Sequence, residues 1–261
     1  MESTMRLPRP FTRSLAEALL AVVLLVSVLL VPGAAPAAST GGDHDTPGGD
    51  CVARVDRRLA DLDKLLAKVA SAPDVPEGHR VALQAGLHES KNGLLVLRNE
   101  MTALGTTGLA PQTGGDHGTE HEVSPEMAAL CARIADFRVY SLRKPQVYLV
   151  LSADRVVGQQ GLYEQLAVAL DYAITVAGAD PDVANARQKL DSYRAHVAAA
   201  VAGASGVGNA IAGLGPADWT SNNQILVPYA ETMHQVKHEL KAAKKDARAI
   251  IELIWLGTAK A

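Results

Sequence analysis

Apolar side chains recur along most of this chain at alternating steps of three and four. Val52, Val55, Leu59, Leu62, Leu66 and Val69 make the first such stripe, the mark of one helix face, and Ala72-Pro73 stops it. Asp74-Val-Pro-Glu77 then has the form of a capping box, with Asp74 as cap and Glu77 reaching back. A second stripe runs through Leu83, Leu87, Ser90, Leu94, Leu97, Met101 and Leu104. It spans about 28 residues, roughly 42 Å of helix. Ser124-Pro125-Glu126 begins a third helix, serine as cap and proline at the first helical position. That helix carries Cys131, Ile134 and Phe137 and ends before Lys144-Pro145.

Pro145 opens a long element that reaches about Ala177. Val147-Tyr148-Leu149-Val150-Leu151 has the composition of a buried strand. Val157, Leu166, Leu170, Ala173 and Val176 nevertheless continue at helical spacing, and no partner strand is evident elsewhere, so the element is expected to be helix. Asp180-Pro181 starts a fifth helix with the stripe Val183, Ala186, Leu190, Tyr193, Val197, Ala200, Ala204 and Ile211. Gly203, Gly206 and Gly208 either weaken its second half or let another helix approach closely. Gly213 to Asn223 is expected to be a turn. The last helix runs to about Leu256 with the stripe Leu226, Tyr229, Met233, Val236, Leu240, Ala243, Ala247, Ile250 and Ile254, its regular part beginning at Pro228.

The fold class these stripes predict is all-α: an antiparallel bundle of about six helices with coiled-coil-like, knobs-into-holes packing. Residues 51–143, with a glycine-rich loop over 105–123, would form a first lobe. Residues 144–256 would form a second, followed by a tail over 257–261. The boundary near Lys144 fits a division into two lobes and fits a mere kink.

The start of the chain differs in kind. Arg6, Arg9 and Arg13 precede an apolar run from Leu15 to Val31, broken only by Glu17 and Ser27, and Ala35-Pro36-Ala37 follows. A positive start, an apolar centre and a small-residue exit predict a secretory signal peptide over 1–37, cleaved near Ala37 or Ala38. The run of about 17 residues lies at the lower edge of what spans a bilayer, so an uncleaved anchor is the competing reading. Residues 38–50 are expected to be a flexible leader. Export changes how the two cysteines are read: Cys51 and Cys131 are expected to form a disulfide. A closed loop of about 80 residues is worth roughly 4–5 kcal/mol.

Aromatic residues are only 4% of the chain against 48% hydrophobic, the balance of packed helices rather than of sheets. The net charge of −3 gives no reason to expect nucleic acid as a partner.

Several segments also carry a resemblance. Cys51-Val-Ala-Arg-Val-Asp, Arg138-Val-Tyr, Pro145-Gln-Val-Tyr-Leu-Val-Leu-Ser-Ala-Asp-Arg155 and Leu240-Lys-Ala-Ala-Lys-Lys-Asp-Ala-Arg248 resemble uncharacterised secreted alanine-rich helical proteins of high-GC Gram-positive bacteria. The resemblance covers most of residues 50–255. It implies export and helical packing, and no activity or catalytic residue.

Candidate chemistry is sparse. Glu231, His234 and His238 share one face of the last helix and could ligate a divalent metal, the imidazoles suiting zinc or copper. A di-iron site would need a second Glu-x-x-His pair, and the sequence has none. Asp43, His44, Asp45, Asp116, His117, Glu120 and His121 offer ligands in segments where nothing fixes their geometry. Lys237, Lys241, Lys244, Lys245 and Arg248 form a basic stripe beside the last helix's core, diluted by Glu239, Asp246 and Glu252. Such a stripe could meet an anionic envelope polymer or lipid headgroups. Tyr140, Tyr148, Tyr163 and Tyr172 read as core fillers before a sugar-binding wall. No nucleophile elbow, phosphate-cradling loop or His-Glu-x-x-His occurs.

The sequence therefore leads to a non-enzymatic, extracytoplasmic helical protein without a cofactor, a structural or binding element of the cell envelope. Its partner would be an envelope polymer, a membrane surface, another protein or a second copy of itself. Metal binding through Glu231, His234 and His238 is the alternative.

Overall fold

A computed structural model describes residues 51–107, 124–177 and 181–259, and over them the chain is helical, with no strand. The expected signal segment and leader, most of the glycine-rich loop, and the Asp/His cluster from Asp43 to His121 lie outside the described residues. Helix α1 is Cys51–Ser71, α2 Glu77–Thr107, α3 Pro125–Arg133, α4 Lys144–Gly158, α5 Gln160–Ala177, α6 Pro181–Ala204, α7 Val207–Ile211, α8 Pro216–Ser221 and α9 Val227–Ala259. The long ones among them pack into the all-α arrangement that the stripes predict. Among the described residues no helix is long and apolar enough to cross a membrane.

The chain forms two compact units. The first holds residues 51–154 and 207–230; the second holds 155–206 and the chain from Glu231 onward. The division thus falls inside α4, after Asp154, and not at Lys144. The polar side chains of α4 explain which segment belongs to the first unit, because Gln146 binds backbone carbonyls at Ile211, Ala212 and Leu214.

In the first unit α1 pairs with α2 through a short connection that Arg80 secures. Its guanidinium donates to the carbonyls of Val69, Ala70, Ala72 and Val75 at 2.9 to 3.3 Å, satisfying acceptors that the end of α1 leaves open. The capping box expected from Asp74 does not form. Glu77 faces the Arg80 Nε at 3.3 Å instead, and the carbonyl of Pro76 receives the Arg80 N–H. Ser124 caps α3 as expected, its Oγ accepting from the Met127 N–H at 3.2 Å. Cys51 and Cys131 form the expected disulfide, with their Cα atoms 5.7 Å apart.

Between α3 and α4 the chain tightens into a 3₁₀ turn, Ile134–Phe137, then passes through Arg138 in the left-handed region (φ 49°) into a π-turn, Val139–Arg143. The apolar run at Val147 is helical, as its spacing predicts, with Val147 and Val150 fully buried. Several boundaries differ from expectation. Helix α2 runs on to Thr107, α3 gives way to the tighter turns after Arg133, and the element from Pro145 breaks at Gln159. The expected fifth helix divides into α6 and α7 after Ala204, the segment 213–223 contains the short α8, and α9 continues to Ala259.

The second unit's core joins α5, α6 and α9 through Leu166, Leu170, Ile174, Leu190, Tyr193 and Ile250. At about 0.8 kcal/mol per buried methylene, these stripes supply the main drive for folding. Alanines at 167, 173, 186, 243 and 247 keep the helices close. Gly203 serves the same end: a Cβ there would stand 3.0 Å from the Val236 side chain.

Candidate functional site

Helix α9 carries the residues the sequence singled out, and packing sorts them by face. Val236, Ala243, Ala247 and Ile250 turn inward and are buried. Glu231, His234 and His238 are all exposed on the outer side. Among the described residues no three His, Cys, Asp or Glu side chains gather as a metal ion would need, these three included.

The basic stripe emerges cleaner than its sequence implied. Steps of four, three and four align Lys237, Lys241, Lys244 and Arg248 along about 16 Å of helix. Lys237, Lys241, Lys245 and Arg248 are exposed and Lys244 is half-buried, and none of the five is ion-paired among the described residues. The acids that would dilute them point elsewhere. Glu239 accepts from His196 on α6 at 2.6 Å, and Asp246 is buried and accepts from Lys189 at 3.2 Å. Of the three acids only Glu252 stays exposed beside the stripe. Two turns beyond Arg248, on the same line, stands Trp255, 60% exposed.

Two polar networks in the first unit, centred on buried Arg143 and half-buried His79, went unseen in the sequence. Arg143 is almost fully buried, its Nε donating to Ser90 Oγ at 3.1 Å and its Nη1 to the Leu214 carbonyl at 2.7 Å. Burial pulls its pKa down, against the pull of the Glu89 and Asp218 carboxylates. The second network centres on His79. Its Nδ1 faces both Asp154 oxygens, at 2.9 and 3.0 Å, and its Nε2 faces Asn209 Oδ1 at 2.8 Å.

Burial works against a charged His79, but the hydrogen bonds to Asn209 and Asp154 and the carboxylate charge outweigh it, leaving the imidazole pKa raised. Burial likewise lifts the Asp154 pKa by more than His79 lowers it. With acceptor oxygens at both ring nitrogens, the imidazolium is the form these bonds satisfy. No nitrogen is left over to act as a base on a substrate. The groups hold the chain together: Gln146 and Arg143 bind the carbonyls that end α7, and His79 binds Asn209 within it.

The tyrosines do not form a wall. Tyr163 and Tyr193 are buried, the Tyr193 hydroxyl donating to the Tyr163 carbonyl at 3.1 Å, while Tyr172 is half exposed on the same unit. Desolvation holds the Tyr193 hydroxyl far above its usual pKa. Tyr140 sits under the Arg58 and Lys144 cations, and Tyr148 under Lys68 at 4.1 Å. An open apolar groove of about 530 Å³ lies along α5 and α6, lined by Tyr163, Ala167, Tyr193, Val197 and Val201.

No family model, curated protein or solved structure gives a significant match to this chain.

Proposed function

We propose that this protein is an exported, non-catalytic helical element of the cell envelope or exterior that works by binding through its surface. The observation that carries the reading is the outer face of α9, where Lys237, Lys241, Lys245 and Arg248 stand exposed while Glu239 and Asp246 are engaged with α6. Exposed cations about one helical turn apart repel one another, and an anionic surface relieves that repulsion. Export is supported by the signal-like pattern of residues 1–37 and by the Cys51–Cys131 disulfide, a bond that persists in oxidising compartments.

The reading is tested by mixing purified protein with isolated envelopes of the producing cell and sedimenting them. Salt-sensitive co-sedimentation is expected. Protein left in the supernatant at every ionic strength contradicts a binding role.

A further inference from the structure

We infer that the outer face of α9 docks along an anionic lipid bilayer, with its cations over the headgroups and Trp255 in the interface. The inference rests on the envelope-binding reading and names the surface involved. The row is straight and rigid, because one helix carries it and that helix is anchored from behind by Val236, Ala243, Ala247, Ile250 and Ile254. Lys237, Lys241, Lys244 and Arg248 therefore present their charges along one line, and one flat surface can meet all of them at once.

Two features favour a bilayer over a dissolved polyanion. The first is Trp255, exposed on the line of the cations two turns past Arg248. An indole with an apolar body and one N–H donor partitions to the boundary between hydrocarbon and headgroups, and a dissolved polyphosphate offers no such boundary. The second is the side chains themselves. Lysine and arginine stems lie along apolar surface while their heads reach phosphate, so the row suits a plane with acyl chains beneath its charges. Glu252 is the single exposed acid of the three that interrupt this stretch in sequence.

The test uses the processed protein as the cell exports it, with vesicles of pure phosphatidylcholine and of equimolar phosphatidylglycerol and phosphatidylcholine. Binding is expected to the anionic vesicles only and is expected to fall steeply as salt rises. Each basic residue at such a surface contributes roughly fivefold, so replacing Lys237, Lys241, Lys244 and Arg248 by Gln together is expected to weaken binding at least about a hundredfold. Replacing the three lysines by Arg preserves it. Trp219→Phe leaves Trp255 as the one indole, whose emission is expected to shift to the blue on vesicles and to stay unchanged with soluble polyphosphate.

Equal binding to both vesicle types overturns the inference, and so does undiminished binding by the folded fourfold Gln variant. Polyphosphate binding as tight as vesicle binding, with Trp255 emission unmoved, overturns it in favour of a soluble polyanion. Salt dependence and Trp255 emission are read on the intact face, so the test stands even where the fourfold variant misfolds. Failure here with envelope co-sedimentation intact removes the bilayer alone; loss of both removes the envelope-binding reading as well.

Discussion

His79 Nδ1 and Asp154 Oδ1 lie 2.9 Å apart, joining the start of α2 to α4 across 75 positions of sequence. The side chains are 14% and 7% exposed, so the charge on this pair is held largely away from water. A raised histidine pKa means that the folded chain favours the imidazolium. Its contribution to stability is fully present below the ordinary value of 6.5 and is lost as pH rises through the folded value. The raised Asp154 pKa acts in the same sense, starting from 3.8. Denaturant midpoints are therefore expected to fall between neutral and mildly alkaline pH, and His79→Gln is expected to flatten that slope. His79→Ala is expected to cost about 3 kcal/mol, because it strands a buried carboxylate. A midpoint that rises with pH over this range contradicts the assignment.

Glycines two positions apart are expected to behave oppositely. A Cβ at Gly208 would overlap the His79 ring and stand 2.8 Å from Asp154 Oδ1, whereas at Gly206 nothing lies within 4 Å. Gly208→Ala is expected to lose about 1–3 kcal/mol through overpacking. Gly206→Ala is expected to be neutral or to gain about 0.5 kcal/mol by restricting the unfolded chain. Thermal unfolding of the two variants checks the pair, and equal effects would contradict the close approach at Gly208.

Arg143 and Gln146 are expected to hold the segment from Val207 to Ala230 in place. Replacing Gln146 by Leu removes the side-chain donor from the Ala212 carbonyl, while the Ile211 carbonyl keeps the Leu214 N–H at 3.2 Å. Each buried acceptor so stranded costs about 1–3 kcal/mol. Hydrogen exchange and protease cleavage are expected to rise in residues 211–226 before the rest of the chain opens. Uniform destabilisation with no local increase would show that the segment is held by other contacts.

Much of this fold was legible because its signals are local. In α1 Arg58 and Leu65 are buried and the neighbouring Leu59 and Leu66 of the stripe are only partly so, whereas the stripe from Leu83 to Met101 repeats at helical spacing and announces its buried face directly. Ser124-Pro125 marked a helix start for the same reason. The pairs that join distant segments carry no such period: His79 with Asp154, or Arg143 with Leu214, depend on which helices meet. Asp74 shows the converse failure: the local capping pattern is present, but α2 begins at Glu77, which leaves Asp74 too far ahead of the first turn to cap it. The candidate site was half legible. Spacing placed the cations of α9 on one stripe, but only packing revealed that Glu239 and Asp246 turn away from it.

Reducing the Cys51–Cys131 bond is expected to lower stability by roughly 4–5 kcal/mol, the entropy that an 80-residue separation returns to the unfolded chain. Cys51→Ala with Cys131→Ala is expected to reproduce the loss, with helicity retained at low temperature. Circular dichroism of both forms over a urea series measures it. Coincident unfolding curves for the oxidised and reduced protein would contradict a stabilising role.

The proposal that this helical protein works outside the cytoplasm is tested by the state of its two thiols in the cell. Producing cells are fractionated in the presence of a thiol-blocking maleimide, and the protein in each fraction is weighed by mass spectrometry. An exterior or envelope species lacking about residues 1–37 is expected, with Cys51 and Cys131 unmodified until reduced. A cytoplasmic species that keeps its first residues and carries maleimide on both cysteines would contradict it.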